Sequence, residues 1–305
     1  MTKETDAKAV EERLGLGILA AVACFFFFSS MDALAKWLGA TYAVTQLVFF
    51  RSLFGFIPVA VVTWREGGVH KLKTKRPWLH TLRGLFLFGA LSFFFEGLRY
   101  LHLAEALAIA FTAPLFMTAL AGPILGEKVG LRRWSAVLVG FVGVLVMVRP
   151  EPENLQLEGL YILASAFCFA LTSLTTRLLT RTESSSAIML YSTLGLFIPS
   201  AAVLPFVWIT PDLGALGLFF LMGMLGGLGL LLLTTAYRNA PASVIAPFEY
   251  SALIWAVLFG WIGWKQFPEP SVWYGSVIVA AAGLYIAQRE ASLKKQSRQA
   301  AAAKG

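Results

Sequence analysis

Charge is what this chain has least of: 14% of its 305 residues are Asp, Glu, Lys or Arg, against 58% that are apolar. A soluble domain carries roughly a quarter charged residues. A water-facing surface therefore cannot cover most of this polypeptide, and no room is left for a soluble catalytic domain. Cysteine is equally scarce. Cys24 and Cys168 fall near the middle of apolar stretches, which points to small packing residues and away from a disulfide framework or a metal site. The three histidines, His70, His80 and His102, lie in or beside loops without ligand spacing. No Walker A motif occurs, which disfavours ATP-driven work by this chain alone. No His, Asp and Ser constellation converges at membrane depth, so a membrane-embedded enzyme is the remote alternative, and no cofactor is expected.

Long apolar runs are what the chain has most of. Ten are readable, near 15–38, 43–64, 78–98, 103–125, 131–148, 158–179, 186–209, 213–236, 242–264 and 270–288. Each approaches the roughly 20 residues that cross a bilayer. They divide five and five at the polar connector Arg149-Pro150-Glu151-Pro152-Glu153-Asn154. An odd number of spans per half makes the second half enter the membrane inverted, the layout of an inverted-repeat transporter. The expected organisation is an all-α membrane protein with a cytoplasmic tail at 1–14 and a five-helix repeat at 15–148. A periplasmic connector at 149–157, an inverted five-helix repeat at 158–288 and a basic cytoplasmic tail at 289–305 complete it. The first span is too long for a signal-peptide core and lacks a clear cleavage site, so it is expected to be retained.

The net charge of +8 is a topology signal. With the N-terminus inside, 18 of the 25 Lys and Arg fall in cytoplasmic segments, 3 in outer loops and 4 within spans. That asymmetry places both termini in the cytoplasm, with anionic lipid of the bilayer as partner to the basic segments and no nucleic acid. An offset of 139 residues relates spans 3–5 to spans 8–10. It superposes Gly84 on Gly223, Arg99 on Arg238, Glu127 on Gln266 and Trp134 on Trp273. Spans 1–2 and 6–7 need slightly different offsets, pairing Gly15 with Gly159 and Ile57-Pro58 with Ile198-Pro199.

Met31-Asp32-Ala33-Leu34-Ala35-Lys36, Phe49-Phe50-Arg51, an Ala/Pro-rich fourth span ending in Gly126-Glu127-Lys128 before Trp134, and Ala240-Pro241-Ala242-Ser243 opening span 9 carry a family likeness. Over roughly 15–288 the chain resembles the drug/metabolite transporter superfamily, of the EamA type. Two departures appear. The second-half counterpart of the Gly-Glu turn reads Lys265-Gln266, so that turn is not strictly electrostatic. The usual Trp-Gly of span 1 is replaced by Phe28-Ser29, which leaves the substrate group open. The resemblance implies ten helices in two inverted five-helix repeats around a central cavity lined by spans 3, 4, 8 and 9, with 1 and 6. It also implies a small-molecule cargo, since relatives move amino acids, nucleoside-like or vitamin-like metabolites and toxic cations.

Ionisable side chains inside a bilayer are functional candidates by default. Glu249 lies about 10 Å from the inner end of span 9, and Asp32 and Arg51 roughly 9 and 12 Å from the outer ends of spans 1 and 2. Equal depth makes Asp32 and Arg51 ion-pair partners, with Lys36 one turn beyond Asp32. Arg83, about 8 Å from the inner end of span 3, matches Glu249 in depth. Two readings stand: these pairs lock helices together, or Glu249 meets a substrate ammonium or exchanges a coupling proton. Pro114 and Pro247 each remove a backbone bond within spans 4 and 9, as interrupted helices at transport sites do, although Pro247 aligns with Ala108 and not with Pro114. Tyr100, Phe248, Tyr250 and Trp255 are the aromatic cavity candidates. Trp64, Trp78, Trp134 and Trp273 read as interfacial anchors. Gly223-x-x-Gly226-Gly227-x-Gly229 reads as close helix packing, not a nucleotide loop. The expected function is secondary transport in the bacterial inner membrane by alternating access. Export of amino acids, aromatic ones among them, is the first expectation; import of S-adenosylmethionine, riboflavin or a similar solute is the alternative.

Overall fold

The computed structural model describes residues 2–126, 130–148, 158–180, 182–240 and 242–302. The connector 149–157, Glu127, Lys128, Arg181 and Pro241 lie outside the described residues. Among the described residues every regular element is helical. The first half holds α1 (Thr2–Gly39), α2 (Val44–Arg65), α3 (Pro77–Tyr100), α4 (Leu103–Ala110), α5 (Ala113–Leu125) and α6 (Leu131–Val148). The second holds α7 (Glu158–Leu179), α8 (Ser185–Val207), α9 (Leu213–Asn239), α10 (Ala242–Glu249), α11 (Ser251–Trp264) and α12 (Pro270–Ala302). Among the described residues seven stretches are long and apolar enough to cross a membrane: Arg13–Gly39, Val44–Arg65, Pro77–Tyr100, Leu103–Leu125, Glu158–Leu179, Ser185–Val207 and Leu213–Tyr237. Trp134–Met147, Ser251–Trp264 and Pro270–Ile286 are shorter apolar helices.

Two details extend the reading. The segments read as tails are helical continuations, α1 beginning at Thr2 and α12 running to Ala302. Their Ala, Lys, Glu and Gln content is strongly helix-forming. The fourth and ninth apolar runs, read as single spans, are each broken into two helices, α4–α5 and α10–α11.

Local chemistry sets the helix ends. Ser184 and Asp212 cap α8 and α9 by accepting from the Ala187 and Ala215 amides. α5 and α11 both end in a left-handed residue, Gly126 at φ 70° and Lys265 at φ 57°. These positions are 139 apart, so the two turns share one backbone shape although their side chains differ. The geometry is carried by the αL cap and not by charge.

Packing repeats under exchange of the halves. α1 packs on α9 as α3 packs on α7; α2 on α9 as α8 on α3; α1 on α10 and α11 as α7 on α4 and α5. α2–α8 and α6–α12 pair across the exchange. Glycines let the backbones meet: a Cβ on Gly84 would lie 2.8 Å from the Gly195 Cα, and one on Gly223 would lie 2.6 Å from the Phe54 Cβ. Gly226, Gly227 and Gly229 abut Met31, Pro58 and Phe28 in the same way, the small-residue packing expected of this cluster. Large apolar side chains face outward, Trp64, Phe206 and Leu213 being 80%, 86% and 89% exposed. Water would make such a surface aggregate, whereas lipid solvates it.

The buried core is lopsided along the helix axes. At the end where α1 and α3 finish and α2, α4 and α9 begin, Leu38, Leu47, Leu98, Leu103 and Phe219 form part of one continuous cluster. Among the described residues, two small separate apolar clusters lie towards the opposite end. Ala20, Ala21, Ala236, Ala240 and Ile245 lie on one side, and Leu115, Ala136, Val137, Ala282 and Ile286 on the other. Among the described residues the apolar core is thus continuous at one end, the sealed end, and divided at the other, the parted end.

Candidate functional site in the helix breaks

The break between α4 and α5 follows from Pro114. A proline removes the bond to the carbonyl four residues back and its ring clashes there; that residue is Ala110, where α4 ends. The chain tightens through Phe111 and Thr112, whose amide reaches the Ile109 carbonyl at 3.0 Å, and Pro114 then sits in the first turn of α5, where its missing N–H costs nothing. The second break falls at Tyr250. Pro247 is within α10, and its side chain lies outside the described residues. The prolines are out of register, yet the breaks are not: Phe111 and Tyr250 are 139 residues apart, and so are Thr112 and Ser251.

The two break residues meet. The rings of Phe111 and Tyr250 stand 4.8 Å apart at 35°, so the exchange relation that pairs the halves passes between them. The Tyr250 hydroxyl is directed at α12, where a Cβ on Gly283 would come within 2.5 Å of it. Beside these rings the hydroxyls of Thr112 and Ser251 are buried without a hydrogen-bond partner among the described residues, and so is the Trp255 indole N–H one turn further along α11. Trp255 meets the Phe26 ring edge-on at 5.1 Å, Phe26 packs on Phe259, and Ser29 donates to the Ala252 carbonyl at 3.2 Å, tying α1 to α11. Buried polar groups are nearly always bonded. Orphaned donors flanked by aromatic rings, at a break whose backbone groups are freed, suit a ligand with hydrogen-bonding edges and a flat apolar body.

The ionisable candidates separate. Glu249 Oε1 accepts from the Tyr237 hydroxyl at 3.0 Å, an exposed contact at the parted end. Phe248, beside it, packs with Ala236 and Ile245 and not with the central rings. Asp32 is 7% exposed. Its charge and that of Arg51 act on each other, but the two do not touch: among the described residues neither forms an ion pair. Lys36, expected beside Asp32, instead donates to the carbonyls of Leu98 and Leu101 at 2.6 Å each and lies 5.6 Å from the Trp264 ring. These are orphan acceptors of the α3 C-terminus, where a cation is favoured. Arg83, expected near Glu249, binds Thr176, the Ile188 carbonyl and Ser192 on α7 and α8. Tyr100 lies at the exposed end of α3, donating to Glu96 at 3.3 Å and stacking on Tyr161, away from the breaks. Among the described residues no three His, Cys, Asp or Glu side chains gather to hold a metal ion.

The break geometry therefore unites Tyr250, Trp255 and Pro114 with Phe111, Thr112, Ser251 and Phe26, which were not singled out from the sequence. The 139-residue offset was the signal for three of them, since it pairs Phe111 and Thr112 with Tyr250 and Ser251. Residues 15–149 and 156–288 each match the EamA-like transporter family. The chain belongs to that family. It is 32% identical to an S-adenosylmethionine uptake transporter of Rickettsia bellii (strain RML369-C), covering 88% of this chain and 92% of that one. A riboflavin transporter of Rhizobium johnstonii is 27% identical over 94% of this chain and 96% of its own. The pseudopaline exporter CntI of Pseudomonas aeruginosa is 27% identical over 90% and 96%. A solved crystal structure superposes with a TM-score of 0.62 at 19% identity, covering 90% of this chain and 98% of that one, and shows the fold alone. This EamA-like protein is thus a multi-pass membrane transporter of a small molecule.

Proposed function

We propose that this EamA-like transporter takes up an S-adenosylmethionine-like solute by alternating access, with the Phe111–Tyr250 junction as the centre of its binding site. The observation that carries the reading is the coincidence, one repeat offset apart, of two helix breaks whose rings meet and whose neighbouring hydroxyls are buried without partners among the described residues. Interrupted helices at corresponding positions of two repeats are where transporters of this architecture bind cargo. Relatives named for S-adenosylmethionine and riboflavin uptake support a flat, heteroaromatic solute and shift the balance away from amino-acid export, the first expectation from sequence. A relative named as an exporter keeps outward movement as the second reading.

In this reading ten spans form two inverted five-helix repeats, 15–148 and 158–288, in the bacterial inner membrane with both termini cytoplasmic. The sealed end then faces the periplasm and the parted end, with Glu249 and Tyr237, faces the cytoplasm. Glu249 exchanges a proton as the coupling group. Counterflow in proteoliposomes tests the assignment. Saturable exchange of labelled S-adenosylmethionine, competed by the unlabelled compound, is the expected result. Saturable exchange of amino acids with none of any adenosyl or flavin compound would overturn it.

A further inference from the structure

Asp32 and Arg51 have no place in the packing that explains the other buried charges. Lys36 is satisfied by two carbonyls, and Arg83 by two hydroxyls and a carbonyl. The Asp32 carboxylate, nine-tenths buried, receives no hydrogen bond among the described residues. Arg51 donates only through Nε, to the Met31 sulfur at 3.3 Å, and its guanidinium is held against α9 where a Cβ on Gly226 would lie 3.6 Å from Nε. That leaves its terminal nitrogens without a bonded acceptor among the described residues. A lone charge of either sign at this depth is expensive, and an opposite pair normally closes up to recover the cost. Here the Met31 sulfur takes up the guanidinium Nε beside Gly226, and among the described residues neither charge forms an ion pair.

We infer that Asp32 and Arg51 read the zwitterionic α-amino-acid group of the substrate, Arg51 taking the carboxylate and Asp32 the ammonium. The chemistry is that of a forked cation for a planar carboxylate and an acceptor-only group for a triple donor. Position agrees. Six residues of α1 separate Asp32 from Phe26, about 9 Å along the axis and about 120° around it, a reach that a ligand lying across α1 can span, and Phe26 carries the edge-on contact to Trp255. That spacing suits an amino-acid arm lodged beneath the sealed end with its heteroaromatic body between Phe26, Trp255 and the Phe111–Tyr250 rings. The inference rests on the reading of the chain as a carrier of an adenosyl amino acid and names what distinguishes that cargo from a bare nucleoside or a flavin.

Binding of labelled compounds to the purified full-length protein tests it. The panel holds S-adenosylmethionine, its methyl ester, a methylthio-nucleoside lacking the amino-acid arm, and free methionine. Wild type is expected to bind the ester and the armless nucleoside at least about tenfold more weakly than the intact compound. Asp32→Asn and Arg51→Gln are expected to bring the intact compound to that weaker level while leaving the armless nucleoside unchanged. Variants that bind the intact compound as wild type does would overturn the inference and leave the transport assignment standing. Binding of methionine but of no adenosyl compound, lost in Asp32→Asn, would support the inference and overturn the assignment. Wild type that binds no compound bearing an amino-acid arm, or the ester as tightly as the free acid, overturns the inference even if both variants fail to fold.

Discussion

Lys36, Lys265 and Glu249 show how differently one charged side chain can be used at membrane depth. Lys36 closes the end of α3 onto α1 through two short bonds to carbonyls. Lys36→Met is expected to lower thermal stability by about 2 kcal/mol, since each charge-assisted bond contributes that order, and a denaturation midpoint in detergent measures it. Lys265 stands in the left-handed region, at φ 57°, where a side chain costs roughly 1 kcal/mol or more. Lys265→Gly is expected to raise the same midpoint by up to about 1 kcal/mol, less what is lost with the cation–π contact to Trp261. Glu249 has one hydroxyl donor, Tyr237. Glu249→Gln should abolish transport or uncouple it from pH while expression and folding stay near normal. Uptake by that variant with an unchanged pH profile would remove Glu249 from the mechanism. None of these partners was legible from depth alone, because depth along a helix says nothing about azimuth. Arg83 and Glu249 share a level and face different neighbours.

At the scale of the helix, the breaks and the close crossings decide what the elements do. Thr112→Val and Ser251→Ala remove buried hydroxyls that have no hydrogen-bond partner among the described residues. Folding stability is expected to hold or to rise by up to about 1 kcal/mol, because an unmet desolvation cost disappears. Uptake affinity is expected to fall about tenfold per hydroxyl, as for a hydrogen bond to substrate left unmade. A loss of stability without a change in uptake would make them packing groups. The crossing of α3 and α8 makes the opposite forecast. A Cβ on Gly195 would sit 2.4 Å from the Gly84 Cα, whereas one on Gly217 meets nothing within 4 Å. Gly195→Ala is expected to cost about 1–3 kcal/mol by forcing the helices apart, and Gly217→Ala to be neutral or mildly stabilising. Thermal midpoints of the two variants compare them directly. The break at Phe111 was legible through Pro114, whose effect on Ala110 is local. The break at Tyr250 has no proline in the matching position, and only the repeat offset connects the two.

For the whole molecule, the paired packing of the halves and the uneven core belong together. Two halves with the same contacts related by exchange can seal either end by equivalent means, yet this structure seals one. The sealed end is reinforced by Gln46, which both donates to and accepts from the Ile209 backbone, at 2.7 and 3.1 Å. At the parted end the α2 terminus remains tied to α8, Glu66 accepting from the Ser186 amide at 3.1 Å, and the neighbouring loops are joined by the Lys75 amide donating to Glu183 at 3.1 Å. The α2–α8 pair is thus held at both ends, while the buried apolar core of the parted end divides into a cluster on α1, α9 and α10 and another on α5, α6 and α12, with α10 and α12 still in contact. Spin-label distances across Ile245 and Ile286 are expected to shorten when substrate drives the opposite state, while distances across Leu38 and Leu103 lengthen. Distances that move together, or not at all, would exclude exchange between the two states.

The sequence by itself determined the membrane class, the location of the apolar helices and the repeat offset. These follow from one-dimensional quantities: the run length needed to cross hydrocarbon, the scarcity of charge, and landmarks recurring at a fixed spacing. Charge asymmetry also oriented the chain on paper, by a rule that concerns loops and needs no fold. Only the tertiary structure decided which charges meet. It set Lys36 on carbonyls, Arg83 on hydroxyls and Glu249 on Tyr237, and held Asp32 and Arg51 apart. It also decided that the Phe111 and Tyr250 rings meet and that the apolar core is continuous at one end and divided at the other. Those outcomes depend on helix rotation and on sub-ångström backbone approach at glycines, and a hydropathy pattern carries no record of either.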